Sequence, residues 1–334
     1  MAEAELQNAV PNLTLKYSSE SSDEFALQAI ETALITAKPS FANDDMFSQD
    51  LGKDYGIASC YNGLLIGGGS FTLVRLNLAV LSAEAVDIND YLNVQLPKAV
   101  EVMSEYIDER ISFLVEEADF FNSSFLVEEG LIDSSKFTAM FGIVGLAEAV
   151  NSLLSVEQQQ DRFGYGAEAN SLGLRIITEL NKLVNQHYNQ YCQGSKGRFL
   201  LHAQVGTDFD NNISPGCRIP IGEEPPILEH LLQSSVFHKF FPSGIGDIFK
   251  FDHTVKNNPA YLLDIIKGSF KEGIRYISFY SGDCDVIRIT GYLVKRSEMN
   301  KLQSGKQVLH DSVVLGLGSA NNQRILERRL RNGE

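Results

Sequence analysis

A glycine close to the C-terminus has the residue type and the setting for radical chemistry. Gly291 ends the alternating, strand-like run of residues 285–291 (DVIRITG) and is followed by Tyr292. A radical on a glycine α-carbon is delocalised into the amide nitrogen on one side and the carbonyl on the other, which requires a planar α-carbon. A side chain would clash with the flanking carbonyls, so only glycine meets this requirement without a steric penalty. A β-strand that ends in a glycine turn explains the same residues without any radical.

A single cysteine lies far upstream in a glycine-rich segment. Cys60 lies in residues 56–78 (GIASCYNGLLIGGGSFTLVRLNL), where it is followed by glycines and a strand-like apolar run. The residues alone are explained by a small buried hydrophobic side chain, as most free cysteines are.

The patterns of several other enzyme classes are missing from the sequence. Residues 67–69 (GGG) lack the spacing of a nucleotide-binding glycine loop. Residues 208–212 (DFDNN) lack the glycine and the distal glutamate of a calcium loop. The six histidines form no i, i+4 pair and have no cysteine at ligand spacing, so no metal site is expected. No G-x-S-x-G segment is present, which argues against an α/β-hydrolase.

Composition and charge limit the class of protein further. The chain has 334 residues, of which 44% are hydrophobic, enough for a large core in one or two domains. A formal net charge of −15 disfavours nucleic-acid binding, and no run of about 18 apolar residues could span a membrane. Residues 1–13 show no secretory signal. Four widely spaced cysteines are expected to be reduced thiols of a cytoplasmic protein, namely Cys60, Cys192, Cys217 and Cys284.

Helical and strand-like segments alternate along the chain. Helices are predicted for residues 23–39, 89–117, 167–191 and 257–273, the second bent at Pro97 and the last ending at a glycine C-cap. Residues 141–154 should run from a short strand into a helix, and further strands are predicted for residues 197–206 and 275–281. This alternation predicts one α/β unit built around parallel strands.

Three separated blocks resemble the glycyl radical enzyme family. Residues 286–294 (VIRITGYLV) are similar to the family's radical signature, with Gly291 at the radical position and Thr290 where Cys, Ser or Ala is usual. Residues 57–78 are similar to its cysteine finger loop and the following strand, with Cys60 at the thiyl position. Residues 141–151 (FGIVGLAEAVN) are similar to a block of the anaerobic ribonucleotide reductases.

The sequence around both positions looks closest to the YjjI-type members of that family, whose substrate is not established. The stretches that carry this likeness are residues 37–64 and 282–299, and the resemblance extends from about Pro11 onward. The fold that it implies is α/β, the C-terminal part of a ten-stranded barrel like that of pyruvate formate-lyase.

The resemblance also implies how the chain is divided. Residues 1–255 would form a partial barrel with its cysteine finger loop at about residues 56–70, and residues 256–334 would form the glycyl radical region. Because Cys60 stands only 59 residues from the start, most of the first half-barrel is expected to be missing. Two explanations stay open: the chain is a truncated gene product, or a separate partner chain supplies the N-terminal half-barrel. A homodimer is a further expectation.

A reaction scheme comes with the resemblance. The radical stored on Gly291 would be relayed to Cys60, whose thiyl radical would take a hydrogen atom from a small-molecule substrate. The S–H bond and the glycine Cα–H bond are similar in strength, so this transfer could run in both directions. The two residues are 231 positions apart (291 − 60), and only the fold can bring them to the roughly 3–4 Å that direct transfer needs. This chain would bind no cofactor, because a separate activating enzyme that uses S-adenosylmethionine and an iron–sulfur cluster would install the radical. Arg288 and Tyr292 belong to the radical signature and count as supporting residues.

Departures from the family patterns narrow the reaction. Ser59 and Tyr61 flank Cys60, so no neighbouring thiol can carry an acyl group as in pyruvate formate-lyase. Asn62 stands where dehydratases and carbon–carbon lyases of the family carry a glutamate base, and an amide cannot act as that base. The four-cysteine zinc site of the anaerobic ribonucleotide reductases is absent. Glu148 could supply a carboxylate, or it is only a helix N-terminal acid favoured by the dipole.

Two interpretations without enzymatic radical chemistry stay open. The chain could be an inactive remnant or a spare radical domain, although a spare domain would need only the Gly291 region and not Cys60. It could also be an α/β scaffold protein in which Gly291 only makes a turn. Cys284, seven residues before Gly291, is interpreted as a strand-packing thiol, with a second redox thiol as the alternative.

Overall fold

The described strands form a four-stranded sheet, a three-stranded sheet and three two-stranded sheets. The structure is a computed structural model, and it describes residues 13–58, 61–203, 213–289, 292–310 and 313–315. The strands within these residues are β1 (Thr14–Tyr17), β2 (Ser40–Asn43), β3 (Tyr55–Ala58), β4 (Asn62–Leu65), β5 (Ser70–Asn77), β6 (Thr138–Val144), β7 (Phe199–Ala203), β8 (Asp247–Phe251), β9 (Tyr276–Ser281), β10 (Val286–Ile289), β11 (Tyr292–Lys295), β12 (Val308–His310) and β13 (Val313–Leu315).

Helices connect most of these strands. They are α1 (Asp23–Thr36), α2 (Asp44–Leu51), α3 (Leu78–Ala83), α4 (Leu96–Ser112), α5 (Phe120–Ser123), α6 (Phe125–Glu128), α7 (Leu146–Val156), α8 (Ala167–Gln186), α9 (Ile227–His238), α10 (Pro259–Lys271) and α11 (Arg296–Gln303). A short α turn (Ile88–Asp90) precedes α4, two π turns flank it (Tyr91–Gln95 and Phe113–Glu117), and three 3₁₀ turns complete the set (Ser134–Lys136, Gln193–Ser195 and His253–Asn257).

The two larger sheets differ in strand direction. The three-stranded sheet has the order β5-β6-β7 and is parallel throughout, as the sequence predicts. The four-stranded sheet has the order β1-β2-β9-β8, in which two parallel pairs meet at an antiparallel β2–β9 step. Within the described residues neither sheet closes on itself, so the fold is mixed α/β and a complete ten-stranded barrel stays a prediction.

Each of these sheets has its own hydrophobic core. Every residue of β6 is buried, as expected for a central parallel strand covered on both faces, and α4, α7 and α8 pack around this sheet with side chains such as Leu153 and Ile177. The four-stranded sheet packs against α1 and α10, where Phe41 and Phe279 stack with ring centroids 5.7 Å apart. Burying such aromatic side chains contributes about 1.5–3 kcal/mol each.

Most of the predicted elements are present. The helix predicted for residues 23–39 is α1, which begins after the Ser22 N-cap and ends before the Lys-Pro pair. The strand-to-helix passage predicted for residues 141–154 is β6 followed by α7. Helix α10 ends at Lys271, and the predicted glycine cap is Gly273, which follows the C-cap residue Glu272 with φ +94. The Ile274 N–H donates to the Ser269 carbonyl at 2.9 Å.

The two long helices depart from prediction in detail. Near Pro97 the helical run over residues 89–117 changes from the π turn Tyr91–Gln95 to the α geometry of α4, because proline has no N–H for the backbone ladder. Helix α8 ends at Gln186 and not at residue 191. His187 and Asn189 leave the helix because their side chains bind Asp108, at 2.8 and 2.6 Å.

The four-stranded sheet draws on both parts of the chain that the sequence separates. Strands β1, β2 and β8 precede the boundary predicted at residue 255, and β9 follows it. Among the described residues, none of the helices combines the length and the apolar composition needed to cross a membrane.

Candidate active site

The finger loop predicted around Cys60 lies between two paired strands. In the antiparallel pair β3–β4, Ala58 is opposite Asn62, so only Ser59, Cys60 and Tyr61 separate the paired ends. Ser59 and Cys60 are outside the described residues, whereas Tyr61 is described and is buried. Asn62 is the first residue of β4. It is half-buried and pairs with Ala58.

The predicted radical position lies in a second antiparallel hairpin. Strands β10 and β11 pair with Ile289 opposite Tyr292, which leaves Thr290 and Gly291 between them. Thr290 and Gly291 are outside the described residues. Arg288 lies in β10 opposite Leu293 of β11, and for Arg288 and Tyr292 the structure describes the strand but not the side chain.

Tyr61 attaches the finger to both large sheets. Its hydroxyl donates to the carbonyl oxygen of Ala203, at the end of β7, over 2.6 Å. Its ring meets the ring of Tyr276, at the start of β9, edge-on with centroids 5.7 Å apart. The residue that follows Cys60 is thus held at the junction between the three-stranded and the four-stranded sheet.

The radical hairpin leaves from the other end of β9. Ser281 ends β9, and β10 begins five residues later at Val286. Asp285 fixes the base of the hairpin, because its carboxylate accepts from the Ser297 backbone N–H at 2.8 Å and from the Ser297 hydroxyl at 2.5 Å, at the start of α11. The two predicted functional loops are therefore attached to opposite ends of one strand.

Cys284 packs against this end of the sheet. It is buried in an apolar cluster with Ala37, Ile248, Tyr280 and Val286, and burial raises the pKa of its thiol. These surroundings match the predicted packing role. Cys192 and Cys217 are likewise buried free thiols, as the sequence predicts.

A buried ionic network lies behind the finger. The Asp247 carboxylate binds the His230 ring Nε2 at 2.8 Å, and it accepts hydrogen bonds from the Ser234 hydroxyl at 3.3 Å and the Ile248 backbone N–H at 2.7 Å. The Arg218 guanidinium lies 3.6 Å from the same carboxylate and donates from Nε to the Gly246 carbonyl at 2.8 Å. Arg218 and Asp247 compensate each other's charge, which would otherwise be costly to bury.

We expect the change Asp247→Ala to destabilise the fold by about 3–5 kcal/mol, because it breaks a buried ion pair in which Arg218 has only 5% of its surface exposed. Urea denaturation followed by circular dichroism would measure the loss. Asp264→Ala is the matched control, because Asp264 lies on the exposed face of α10 and its change should leave the midpoint almost unmoved. Equal midpoints for the two variants would contradict the assignment of this network.

Two buried histidines border the same region as neutral groups. Burial lowers the pKa of His202 to about 4 and that of His238 to about 3. The Nδ1 atom of His238 accepts the Arg275 backbone N–H at 2.8 Å, so the ring proton is on Nε2. A small cavity beside them is lined by Ala203, Cys217, Arg218, Ser234, His238 and Asp247.

Arg275 is a second buried charge beside the finger. Its guanidinium is fully buried, pairs with Asp50, and lies 4.8 Å from the centre of the Phe47 ring. Burial lowers the pKa of this guanidinium. The pair ties the start of β9 to α2 and so fixes the strand that Tyr61 contacts.

Glu148 is placed at the carboxyl edge of the three-stranded sheet. It lies in the first turn of α7, which follows β6 directly. Its Oε1 accepts from the Ser214 backbone N–H at 3.0 Å and from the Ser214 hydroxyl at 2.6 Å, while its buried Oε2 has no hydrogen-bond partner among the described residues. Burial raises the pKa of this carboxyl, and the Ser214 hydrogen bonds oppose that shift only in part.

Glu148→Gln is expected to stabilise the protein at neutral pH. The folded state holds the Glu148 proton more tightly than the unfolded state, whose carboxyl has the ordinary value of 4.5. The stability contributed by this proton is complete below pH 4.5 and is lost as the pH rises through the raised folded pKa. Thermal unfolding from pH 4 to 8 should therefore show an advantage of the variant that grows with pH. An advantage that is constant over this range would refute the shift.

Sequence reasoning missed the residues that hold the finger. The sequence alone does not predict Tyr61, His202, Arg218 and Asp247 as members of the site, and the structure brings them together around residues 243–246. Arg275, which lies over the Phe47 ring, is also missed. The closely spaced glycines in PSGIGD are the one local signal, because glycines two apart allow a close approach of another chain segment.

The fold defines the class of protein. It is similar to that of the B12-independent glycerol dehydratase from Clostridium butyricum, with a TM-score of 0.68 and 14% identity over 86% of this chain and 50% of that chain. It is also similar to a glycyl radical enzyme from Archaeoglobus fulgidus, with a TM-score of 0.68 and 13% identity over 85% of this chain and 50% of that chain. A third similar structure is the anaerobic ribonucleotide reductase from Thermotoga maritima, with a TM-score of 0.64 and 17% identity over 90% of this chain and 56% of that chain. The mixed α/β fold is therefore one that glycyl radical enzymes adopt.

The chain belongs to the YjjI-like glycyl radical enzyme family, whose sequence profile matches residues 1–331. It is 43% identical over 331 residues to an uncharacterized protein of Haemophilus influenzae and 39% identical over 333 residues to the uncharacterized protein YjjI of Escherichia coli K12. These matches cover 98% and 99% of this chain but 64% of each relative. The resemblance predicted from the sequence is confirmed.

Proposed function

We propose that this chain stores a radical on Gly291 and relays it to Cys60, which then abstracts a hydrogen atom from a small-molecule substrate. Membership of the YjjI-like glycyl radical enzyme family supports this proposal. The observation that carries it is the placement of the flanking strands. Cys60 and Gly291 each lie in the short connection of an antiparallel hairpin, and the two hairpins are attached to opposite ends of β9.

The lengths of these elements are compatible with a meeting of the two loops. Strand β9 has six residues, so its ends are about 17 Å apart at a rise of roughly 3.3 Å per residue. Strand β10 has four residues and spans about 10 Å, to which the connection from Ser281 adds further reach. A radical hairpin that folds back along β9 would therefore bring Gly291 towards the finger.

Each step of the relay balances as a hydrogen-atom transfer. An activating enzyme that uses S-adenosylmethionine and an iron–sulfur cluster would remove one hydrogen atom from the α-carbon of Gly291. One electron from the cluster would split S-adenosylmethionine into methionine and an adenosyl radical, and the hydrogen atom would end on that adenosyl group. The Gly291 radical then takes the hydrogen atom of the Cys60 thiol, so that the glycine Cα–H bond forms as the S–H bond breaks. The Cys60 thiyl radical takes a hydrogen atom from a substrate carbon and returns it to the product radical.

The residues around the finger restrict the chemistry at the substrate. Ser59, Tyr61 and Asn62 supply neither a second thiol nor a carboxylate base next to Cys60. Glu148 lies at the carboxyl edge of the three-stranded sheet, and burial raises the pKa of its carboxyl above the ordinary value, which suits a group that holds and releases a proton. We propose Glu148 as the acid–base group of this site, with Arg288 and Tyr292 supporting the radical loop.

The rest of the assembly belongs to the same proposal. The chain spans 64% of the length of its relatives, and its two larger sheets have free edges within the described residues. Polypeptide corresponding to the remaining part of those relatives would pair with these edges and complete the barrel. Residues 1–255 then form the partial barrel and residues 256–334 the radical region.

Electron paramagnetic resonance tests the proposal directly. The protein is co-expressed with its activating enzyme, purified without oxygen and measured before and after activation. An unpaired electron on Gly291 couples to its single α-hydrogen, so a doublet is expected. Its absence from a fully activated sample would favour the scaffold interpretation, in which Gly291 only makes a turn. A doublet without turnover on any substrate would favour the spare radical domain.

A further inference from the structure

The residue that follows Cys60 is buried, although the paired strand ends beside it are not. Tyr61 has only 2% of its surface exposed. At the paired ends, Ala58 is exposed and Asn62 is half-buried. Farther along the strands, Tyr55 of β3 and Gly63 of β4 are buried as well. Tyr61 is therefore the buried residue of the finger that is covalently bonded to Cys60.

Two glycines make room for this residue. A β-carbon on Gly244 would lie 2.1 Å from the Tyr61 carbonyl oxygen, and Gly244 has φ +139, a conformation that other residues avoid. A β-carbon on Gly246 would lie 3.0 Å from Cδ1 of the Tyr61 ring and 2.7 Å from Cδ1 of the Tyr276 ring. Tyr61 therefore occupies space that only glycine at both positions leaves free.

Polar contacts hold this part of the finger at two residues, Tyr61 and Gly63. The Tyr61 hydroxyl donates to the Ala203 carbonyl at 2.6 Å, and the backbone N–H of Gly63 donates to the Ser243 carbonyl at 2.9 Å. The Arg218 guanidinium carbon lies 5.8 Å from the centre of the Tyr61 ring, within the range of a cation–π contact. Because Asp247 and the Gly246 carbonyl hold Arg218, the cation has a fixed place beside the ring.

We infer that Tyr61 is a positioning residue of the relay and that Ala203, Ser243, Gly244, Gly246 and Tyr276 form a seat for it, here called the finger seat. This inference rests on the proposed function. The seat combines elements of both large sheets, so it sets where Cys60 can be relative to the radical hairpin at the other end of β9. In this role Tyr61 takes no part in the hydrogen-atom transfers, and it acts by limiting the positions that Cys60 can take.

Deuterium exchange into the glycyl radical measures this positioning. The thiol hydrogen of Cys60 exchanges with solvent, and reversible transfer then places deuterium on the α-carbon of Gly291. Deuterium couples more weakly than hydrogen to the unpaired electron, so in D₂O the doublet collapses to a single line. The rate of collapse reports how often the two loops reach transfer distance, and the amount of radical installed is measured in the same sample.

Two variants disturb the finger seat without removing Cys60. Tyr61→Phe removes only the hydroxyl, and Gly246→Ala adds a methyl group against the two tyrosine rings. We expect both to accept the radical in normal amount and to slow the collapse by about tenfold, because a lost buried hydrogen bond or a small displacement of reacting atoms has effects of that size.

Matched controls make the same chemical changes elsewhere. Tyr91→Phe removes a buried hydroxyl that has no hydrogen-bond partner among the described residues. Gly268→Ala adds a methyl group in α10, where no atom lies within 4 Å of the new β-carbon. Both control variants should collapse at the wild-type rate.

The outcomes separate this inference from the proposed function. Wild-type collapse rates in Tyr61→Phe and Gly246→Ala, with unchanged thermal midpoints, would overturn the role of the finger seat and leave the relay intact. A wild-type doublet that does not collapse in D₂O would overturn the relay and the inference with it. Slower collapse in both variants and not in their controls supports the positioning role.

Discussion

Gly291→Ala should abolish both the radical signal and catalysis. Alanine adds a β-carbon to the α-carbon that must become planar, and this side chain would clash with the flanking carbonyls. The radical would lose its delocalisation into the two neighbouring peptide groups and would no longer match the thiol in bond strength. A barrier raised by about 4 kcal/mol already lowers a rate roughly 10³-fold, so we expect no doublet after activation and turnover below detection.

Gly282→Ala is the control for this experiment. Gly282 lies in the turn between β9 and β10, and a β-carbon there meets only the flexible end of Lys250 at 3.3 Å and the Phe251 carbonyl at 3.6 Å. This variant should fold normally and give the full doublet. A full doublet from Gly291→Ala as well would show that the radical is on another residue.

Cys60→Ser should separate storage of the radical from its use. A serine O–H bond is much stronger than a thiol S–H bond, so the Gly291 radical cannot take that hydrogen atom. The variant should form the normal doublet, keep it as a doublet in D₂O, and lose turnover by at least roughly 10³-fold, which corresponds to about 4 kcal/mol in the barrier. Paramagnetic resonance in H₂O and in D₂O would check that the doublet forms and that it persists. A turnover assay, once a substrate is found, would check the loss of activity.

Cys284→Ala shows whether the effect is specific to Cys60. Cys284 is the described thiol nearest in sequence to the radical hairpin, and it is buried in an apolar cluster. If it only packs, its removal costs some stability and leaves the collapse in D₂O unchanged. Normal collapse in Cys60→Ser together with a lost collapse in Cys284→Ala would assign the relay to Cys284 instead.

Much of the local structure could be predicted because its causes are local. The segment FGIVGLAEAVN predicts an apolar strand, a glycine turn and a helix. The structure has β6, then Gly145 in the left-handed conformation, then α7. The glycine that ends α10 is a local signal of the same kind. The motif around Gly291 predicts a strand before the glycine, and β10 is that strand. In each case the residues that decide the conformation are within a few positions of one another.

The parts that could not be predicted depend on partners far away in the sequence. The Tyr61 hydroxyl binds the Ala203 carbonyl, which is 142 positions later in the sequence. The residues around Tyr61 do not predict this hydrogen bond. The end of α8 is set by Asp108, 79 positions before His187. The antiparallel β2–β9 step joins residues 41 and 277. Periodicity and capping signals describe one element at a time, so they do not contain these contacts.

Glu148 shows how sequence and structure divide the problem. Its place at the start of a helix after a buried strand was predictable from the residues, and so were its two alternative roles. The structure adds the hydrogen bonds from Ser214 to one carboxylate oxygen and the burial of the other oxygen. Burial raises the pKa of this carboxyl. A helix N-terminal acid held only by the dipole would be exposed and would have a lowered pKa, so the burial of this carboxyl favours the acid–base role.

Intact mass after exposure to air tests the central claim most directly. Oxygen adds to a glycyl radical and breaks the backbone at that residue, so the activated protein should lose the fragment that begins at Gly291 and contains 44 residues (334 − 290). A loss of this size, in proportion to the doublet measured before air is admitted, is the result that we predict. An unchanged mass in a sample that showed the full doublet, or a cut at any other residue, would contradict storage of the radical on Gly291.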